Sequence, residues 1–260
     1  MVIQSKQNRK IKQIRKLFTH KRRELEKCFV FEGKKLFEEA LKSAVPLEGI
    51  LVARRFMDVN RHQLDAISSE VSIEVVENHI YDQLSRQKNP EGILCVAKYF
   101  DFQIDLQHAR HLLLLDEIAD PGNLGTIIRT ADGVGYDGIV CSEKTVDFYN
   151  DKVIRATMGS FFHIPIYKAD HFEAFLQGLK HQNFFVCGTS LNGNSSPKSP
   201  IPRHSKSALI LGNESHGMRP QIETLCDFSW KLPIYGKAES LNVAVAAGIM
   251  MYLTVIGDKK

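Results

Sequence analysis

The chain has 260 residues, 43% of them hydrophobic and 25% charged, with a formal net charge of +4. This is an ordinary globular composition, long enough to bury one or two cores without disulfides or a structural metal. No apolar run approaches the roughly 20 residues that cross a bilayer, and the N-terminus lacks the apolar core of a secretory signal, so a cytoplasmic protein with no membrane partner is expected.

Ten basic residues lie between Lys6 and Lys27, opposed there only by Glu24 and Glu26, while the rest of the chain is net acidic. From Gln7 to about Lys27 the pattern predicts one basic amphipathic helix, with Ile11, Ile14, Leu17 and Phe18 on a shared face. Such a local excess is the footprint of contact with a polyanion, RNA first. A solvated lysine-rich helix and a mitochondrial presequence remain as alternatives.

A strand at Phe29–Glu32 and a helix at Lys34–Lys42 follow, then strands at Leu47–Ala53, Ile73–Val76 and Gly92–Tyr99, with helices at Arg61–Ser68 and Glu77–Arg86. These make a small α/β unit, residues 1–104, closed by a polar linker over Phe100–Ala109. In residues 105–260, continuous apolar runs at His111–Leu115, Gly138–Cys141, Phe162–Tyr167, Phe184–Thr189, Ala208–Leu211 and Phe228–Leu232 predict a parallel sheet. Leu191–Ser207, rich in Gly, Ser and Pro, reads as a long surface loop. Val243–Ile256 is apolar or small except for Thr254, so that helix should be buried, with Ser240 as its cap.

Five cysteines stand singly, and no histidines have the i, i+3 or i, i+4 spacing of a helical metal site next to a carboxylate ligand set, so no metal is assigned. Gly133-Val-Gly135-Tyr-Asp-Gly138 matches a dinucleotide fingerprint literally, but it follows a helix and precedes a strand, the reverse of what that motif requires.

Three segments carry chemistry. In Asp120-Pro-Gly-Asn123 through Arg129 a strand gives way to a helix, and Asn123 and Arg129 are a loop amide and a guanidinium available to a phosphate or hydroxyl, or else a cap and a surface residue. In Gly212-Asn213-Glu214-Ser-His-Gly217 a buried strand breaks at glycine and a carboxylate follows where open α/β sheets bind ligands. In Ser240-Leu241-Asn242-Val243 a polar pair opens an apolar helix, whose free amides suit a polar ligand group as well as a cap.

Asn123–Ala131, Leu211–Met218 and Pro233–Gly248, in this order and spacing, resemble the three motifs of the SpoU or TrmH family of RNA 2′-O-ribose methyltransferases, within the SPOUT superfamily. The N-terminal unit, with Phe29-Val-Phe-Glu-Gly33 after a basic helix, is similar to that family's ribosomal-protein-like substrate-binding domain. The resemblance implies a C-terminal domain with a parallel sheet and a deep trefoil knot, S-adenosyl-L-methionine as cofactor, and a homodimer with the site near its interface. It places cofactor contacts on Thr189, Gly212, Asn213, Gly217, Leu232, Ile234, Leu241 and Val243, and catalytic or substrate roles on Asn123, Arg129, Glu214, Ser240 and Asn242. The family proposal makes the arginine a base. A guanidinium pKa of roughly 12.5–13.8 favours pinning a phosphate instead, with Asn123, Ser240 and Asn242 orienting the ribose and Glu214 holding the loop. The added N-terminal domain and the lack of a C-terminal tail are similar to the large-subunit rRNA enzymes. A tRNA 2′-O-methyltransferase and a non-catalytic RNA-binding or ribosome-assembly factor of the same fold are the alternatives.

Overall fold

The computed structural model describes residues 2–100, 102–195, 198, 200–202 and 205–258. The chain divides into two units, Met1–Asp101 with Tyr149–Phe162, and Phe102–Phe148 with His163–Lys260. Among the described residues no helix is long and apolar enough to cross a membrane.

The first unit runs β1 (Val2–Ile3), α1 (Arg9–Leu17), α2 (His20–Glu26), β2 (Cys28–Glu32), α3 (Lys34–Lys42), β3 (Leu47–Ala53), α4 (Arg54–Asp65), β4 (Ser72–Val76), α5 (Asn78–Leu84) and β5 (Ile93–Lys98). Its sheet has the order β1-β4-β3-β5-β2. Strands β1, β4 and β3 are parallel, and β5 runs antiparallel to β3 and β2. The single basic helix expected over Gln7–Lys27 is two helices. Thr19 is extended, at φ −99° and ψ 137°, and breaks the run just after the buried Phe18, whose ring carries the Arg86 guanidinium 4.2 Å away. Helix α4 begins directly after β3, seven residues before the expected Arg61, because Ala53 turns from strand to helix with no Gly or Pro to mark the junction. Phe56, Asn60 and Leu64 line its buried face at helical spacing.

The second unit begins with β6 (His111–Leu115), α6 (Pro121–Val134) and β7 (Gly138–Cys141). Next comes α7 (Asp151–Ala156), which lies in the segment grouped with the first unit. The second unit then continues with β8 (Ile166–Lys168), α8 (Phe172–His181), β9 (Phe184–Ser195), β10 (Lys206–Leu211), α9 (Pro220–Glu223), β11 (Phe228–Lys231) and α10 (Val243–Asp258). Its six strands pair entirely in parallel, in the order β11-β9-β10-β6-β7-β8. Leu112 to Leu115 are fully buried, as a central parallel strand covered on both faces requires.

Three further sequence expectations need correction. The strand predicted over Phe162–Tyr167 shrinks to β8, preceded by a 3-10 turn at Ser160–Phe162, because Phe161 and Phe162 are drawn into the aromatic core of the first unit. There Phe29 lies 5.0 Å from Tyr149, and Tyr149 stacks on Tyr99 at 3.7 Å. The loop predicted over Leu191–Ser207 begins as a continuation of β9 and ends as the start of β10. Residues 196, 197, 199, 203 and 204 of that loop lie outside the described residues.

Helix α10 is not wholly buried. Ala247, Met250 and Met251 face the core, and the buried Thr254 meets the Tyr136 hydroxyl at 2.8 Å. Val245, Ile249, Tyr252 and Ile256 are instead exposed, by 54, 42, 51 and 53%. They recur at i, i+4, i+7 and i+11 and form one outward apolar stripe.

Candidate active site

Strand β6 is the first of its sheet, and the chain proceeds from it to β7 on one side while β10 fills the other. Leu115 and Leu211 pair in register at their C-terminal ends, so the loops that follow leave side by side at the switch point where open parallel sheets hold ligands.

Each loop is shaped by its own residues. After β6, Glu117 takes a left-handed φ of +61° with its N–H donated to Ser142 Oγ at 2.8 Å. Asp120, rather than Asn123, caps α6, since its carboxylate accepts the Asn123 N–H at 2.8 Å and Pro121 fills the first helical turn. That frees the Asn123 side chain. After β10, Asn213 and Gly217 close a tight antiparallel bridge, with N–H to O=C distances of 3.0 and 2.9 Å. A Cβ on Gly212 would lie 2.1 Å from the Met218 nitrogen, so only glycine fits there.

The two loops hold each other. Glu214 Oε2 accepts the Ala119 N–H at 3.1 Å, and Oε1 accepts the Asp120 N–H at 3.2 Å and Asn123 Nδ2 at 3.0 Å. Asn213 Nδ2 donates to the Glu117 carbonyl at 2.7 Å. The buried Asp116 accepts both the Arg219 N–H at 2.8 Å and Arg219 Nε at 2.7 Å. Burial pushes the Asp116 carboxyl above its ordinary range by more than Arg219 draws it down. The pair ties the loop after β10 to the end of β6.

The third segment joins through Asn242. Its Nδ2 donates to Asn123 Oδ1 at 3.0 Å, and its Oδ1 accepts the Ala244 and Val245 N–H groups at 2.9 and 3.3 Å. Asn242 is thus the cap of α10, not Ser240, which lies two residues upstream and exposed. Glu214, Asn123 and Asn242 form one hydrogen-bonded row.

Around this row opens a cleft of about 700 Å³. Its floor includes the buried Trp230, Met218, Leu211 and Met250. Thr189, Gly212, Asn213, Gly217, Leu232, Ile234, Leu241 and Val243 line it, together with Asn123, Glu214, Ser240 and Asn242. β9 contributes through a bulge: Ser229 pairs with Gly188 and Trp230 with Asn194, which turns Thr189 to Asn192 into the cleft. Arg129 does not line the cleft. It is exposed on α6 and makes no hydrogen bond or ion pair among the described residues. Asp116, Asp120 and Arg219 were missed from the sequence. The only signal for Asp120 is its place before a proline.

In the first unit the basic residues fall into two sets. Arg23 is buried and donates to the Leu17 carbonyl at 3.1 Å, while Lys10, Arg22 and Lys27 pair with Glu74, Glu26 and Glu24. Lys6, Arg9, Lys12, Arg15, Lys16 and Lys21 are exposed, and no pairing is given for them among the described residues.

Burial raises the Glu214 carboxyl, but Asn123 and the amides around it outweigh that and leave it below its ordinary 4.5. A lowered carboxyl contributes stability above its unfolded pKa and loses it as the pH falls through the folded value. Glu214→Gln should therefore cost about 1 kcal/mol at neutral pH, at the low end for charged hydrogen bonds because the group is open to water. In urea unfolding the difference from the parent should shrink as the pH drops below 4.5.

Residues 110–252 match the SpoU rRNA Methylase family, and residues 8–95 match the MRM3-like substrate binding domain. The chain is 38% identical over 250 residues to the 23S rRNA (guanosine(2553)-2'-O)-methyltransferase RlmP of Bacillus subtilis, covering 96% of this chain and 97% of that protein. It is 31% identical to the putative TrmH family tRNA/rRNA methyltransferase YacO of the same organism, over 85% of this chain and 92% of that one. Among solved structures, the AdoMet-bound rRNA methyltransferase of Sinorhizobium meliloti superposes with a TM-score of 0.85 at 29% identity, covering 97 and 96% of the two chains. The family match over residues 110–252 and the identity and coverage of the relatives agree: the chain belongs to the SpoU rRNA methylase family.

Proposed function

We propose that the protein is a cytoplasmic methyltransferase that moves a methyl group from S-adenosylmethionine to a ribose 2′-hydroxyl of large-subunit rRNA. The observation that carries this reading is the Glu214–Asn123–Asn242 row beside an apolar-floored cleft. The cleft suits the cofactor: Trp230, Met218 and Met250 offer an apolar bed for a purine. Leu232, Ile234 and Leu241 line the cleft, where their backbone N–H and C=O groups can meet the cofactor's polar edges. The relative in Sinorhizobium meliloti is described as AdoMet-bound, and the Bacillus subtilis relative by its action on 23S rRNA.

When bound, the cofactor supplies an activated methyl group on a sulfonium, and the displacement needs the ribose oxygen held in line behind it. Asn123 and Asn242 each spend one amide N–H within the row and keep a second for ribose oxygens. Ser240 adds a hydroxyl at the rim. Glu214, with three N–H groups on its carboxylate, is a positioning residue rather than a base. Arg129 pins the neighbouring phosphate, which stabilises the alkoxide form of the hydroxyl.

The exposed stripe of α10 supports a homodimer. Because α6 packs beside α10, an Arg129 outside its own cleft is available to a site completed across that interface. The return of α10 against α6 and β10, after β11 has been laid at the far edge of the sheet, supports a trefoil knot. Lys6, Arg9, Lys12, Arg15, Lys16 and Lys21, all exposed, supply the RNA face of a substrate-binding first domain.

The reading is tested with labelled S-adenosylmethionine and a transcript of 23S rRNA spanning position 2553, the site named for the Bacillus subtilis relative. Label should appear on a ribose 2′-oxygen and vanish when that nucleotide is a 2′-deoxy residue. Calorimetry with no heat of S-adenosylmethionine binding would leave an RNA-binding factor instead. Arg129→Lys should weaken RNA binding yet keep turnover at high pH. Light scattering should give a dimer, and Ile249→Asp a monomer with at least tenfold slower transfer; a monomeric parent would rule the dimer out.

A further inference from the structure

Tyr235 is the most exposed large side chain with an apolar body that the structure describes, at 92%. It stands in the segment between β11 and α10, and no ring partner, hydrogen bond or cation is given to it among the described residues. Its neighbours are used differently. Leu232, Ile234 and Leu241 line the cleft, whereas Tyr235, Gly236, Lys237 and Ala238 do not. The segment thus has an inner edge on the cleft and an outer tip carrying an unsupported aromatic ring and an exposed Lys237, for which no ion pair is given.

A tyrosine left in water forgoes the burial of a large apolar ring, and here no packing within the fold claims it. Residues 232–242 belong to no helix or strand among the described residues. An exposed aromatic beside an unpaired lysine, at the lip of a cleft that takes a ribose, fits a single-stranded nucleotide: a π-face for the base and a cation for the phosphate. The outward stripe of α10, which would meet a second copy, lies on another element and does not include this residue.

We propose that the tip Tyr235–Ala238 is a nucleobase-reading element, in which the Tyr235 ring stacks on the base of the target nucleotide or its immediate neighbour and Lys237 takes the adjoining phosphate. This rests on the reading of the cleft as a ribose methylation site. Single-stranded or unstacked targets bind through it, and a fully stacked duplex does not. The ring adds affinity for RNA without touching the cofactor.

The experiment uses the full-length protein with Tyr235→Ala and Tyr235→Phe, and the same 23S rRNA transcript. Stacking on one base predicts that Tyr235→Ala raises the KM and the anisotropy Kd for RNA by about 5- to 150-fold. The calorimetric affinity for S-adenosylmethionine should stay within about twofold, and Tyr235→Phe should behave like the parent. An unchanged RNA Kd in Tyr235→Ala overturns the proposal. So does an equal loss in Tyr235→Phe, which would mean a hydroxyl contact, or a change in oligomeric mass, which would mean a contact between copies. If the parent binds RNA but transfers no methyl group, the methylation reading fails by itself, while the anisotropy arms still decide the role of Tyr235.

Discussion

The Glu214–Asn123–Asn242 row is the constraint on which the cleft depends. Its polarity is fixed from both ends. A carboxylate only accepts, so Asn123 must turn its Nδ2 toward Glu214 and its Oδ1 toward Asn242. The start of α10 only donates, so Asn242 must turn its Oδ1 toward Ala244 and Val245 and its Nδ2 toward Asn123. Only a side chain with a donor and an acceptor on one short stem satisfies both demands at each middle position. Asparagine therefore stands at 123 and 242, where an aspartate would set acceptor against acceptor. One chain of hydrogen bonds thereby joins segments that are 91 and 119 residues apart in sequence.

The surrounding structure is organised to keep that row in place at some cost to stability. Asp116 is fully buried, and its pairing with Arg219 does not offset the loss of hydration. What the pair secures is the departure angle of the second loop, with the Arg219 backbone and side chain both bound to one carboxylate. Gly212 serves the same end by letting the strand pass against Met218. Glu214 contributes in the opposite sense, since its folded environment favours its charge.

How far the sequence disclosed this varies by element. Strand β6 was legible to the residue, because four consecutive leucines bounded by polar residues have few other fates in an α/β chain. Many of the cleft-lining residues fall in the three motifs, each of which ends a strand or starts a helix, whereas Ser190 to Asn192, Trp230 and Met250 lie outside them and carried no local signal. The choice of cap was not. Ser240 and Asn242 are both good caps two residues apart, and what selects Asn242 is a partner 119 residues away. The same holds for Asp120 and Arg219, whose roles exist only once the two loops are adjacent. The grouping of Tyr149–Phe162 with the first unit was hidden too, since Phe162 reads locally as the start of a strand. The apolar run of α10 was read as a buried helix, although an apolar face destined for a partner looks the same in sequence as one destined for the core.

The central claim is that the row shapes the cofactor cleft, and Asn123→Asp tests it with almost no change of volume. It replaces the amide that faces Glu214 with an oxygen and sets two carboxylates together. Calorimetric titration with S-adenosylmethionine should show an affinity at least tenfold below the parent at pH 7, recovering in part as the pH is lowered toward the carboxylate range. An affinity within twofold of the parent at pH 7 would contradict the account.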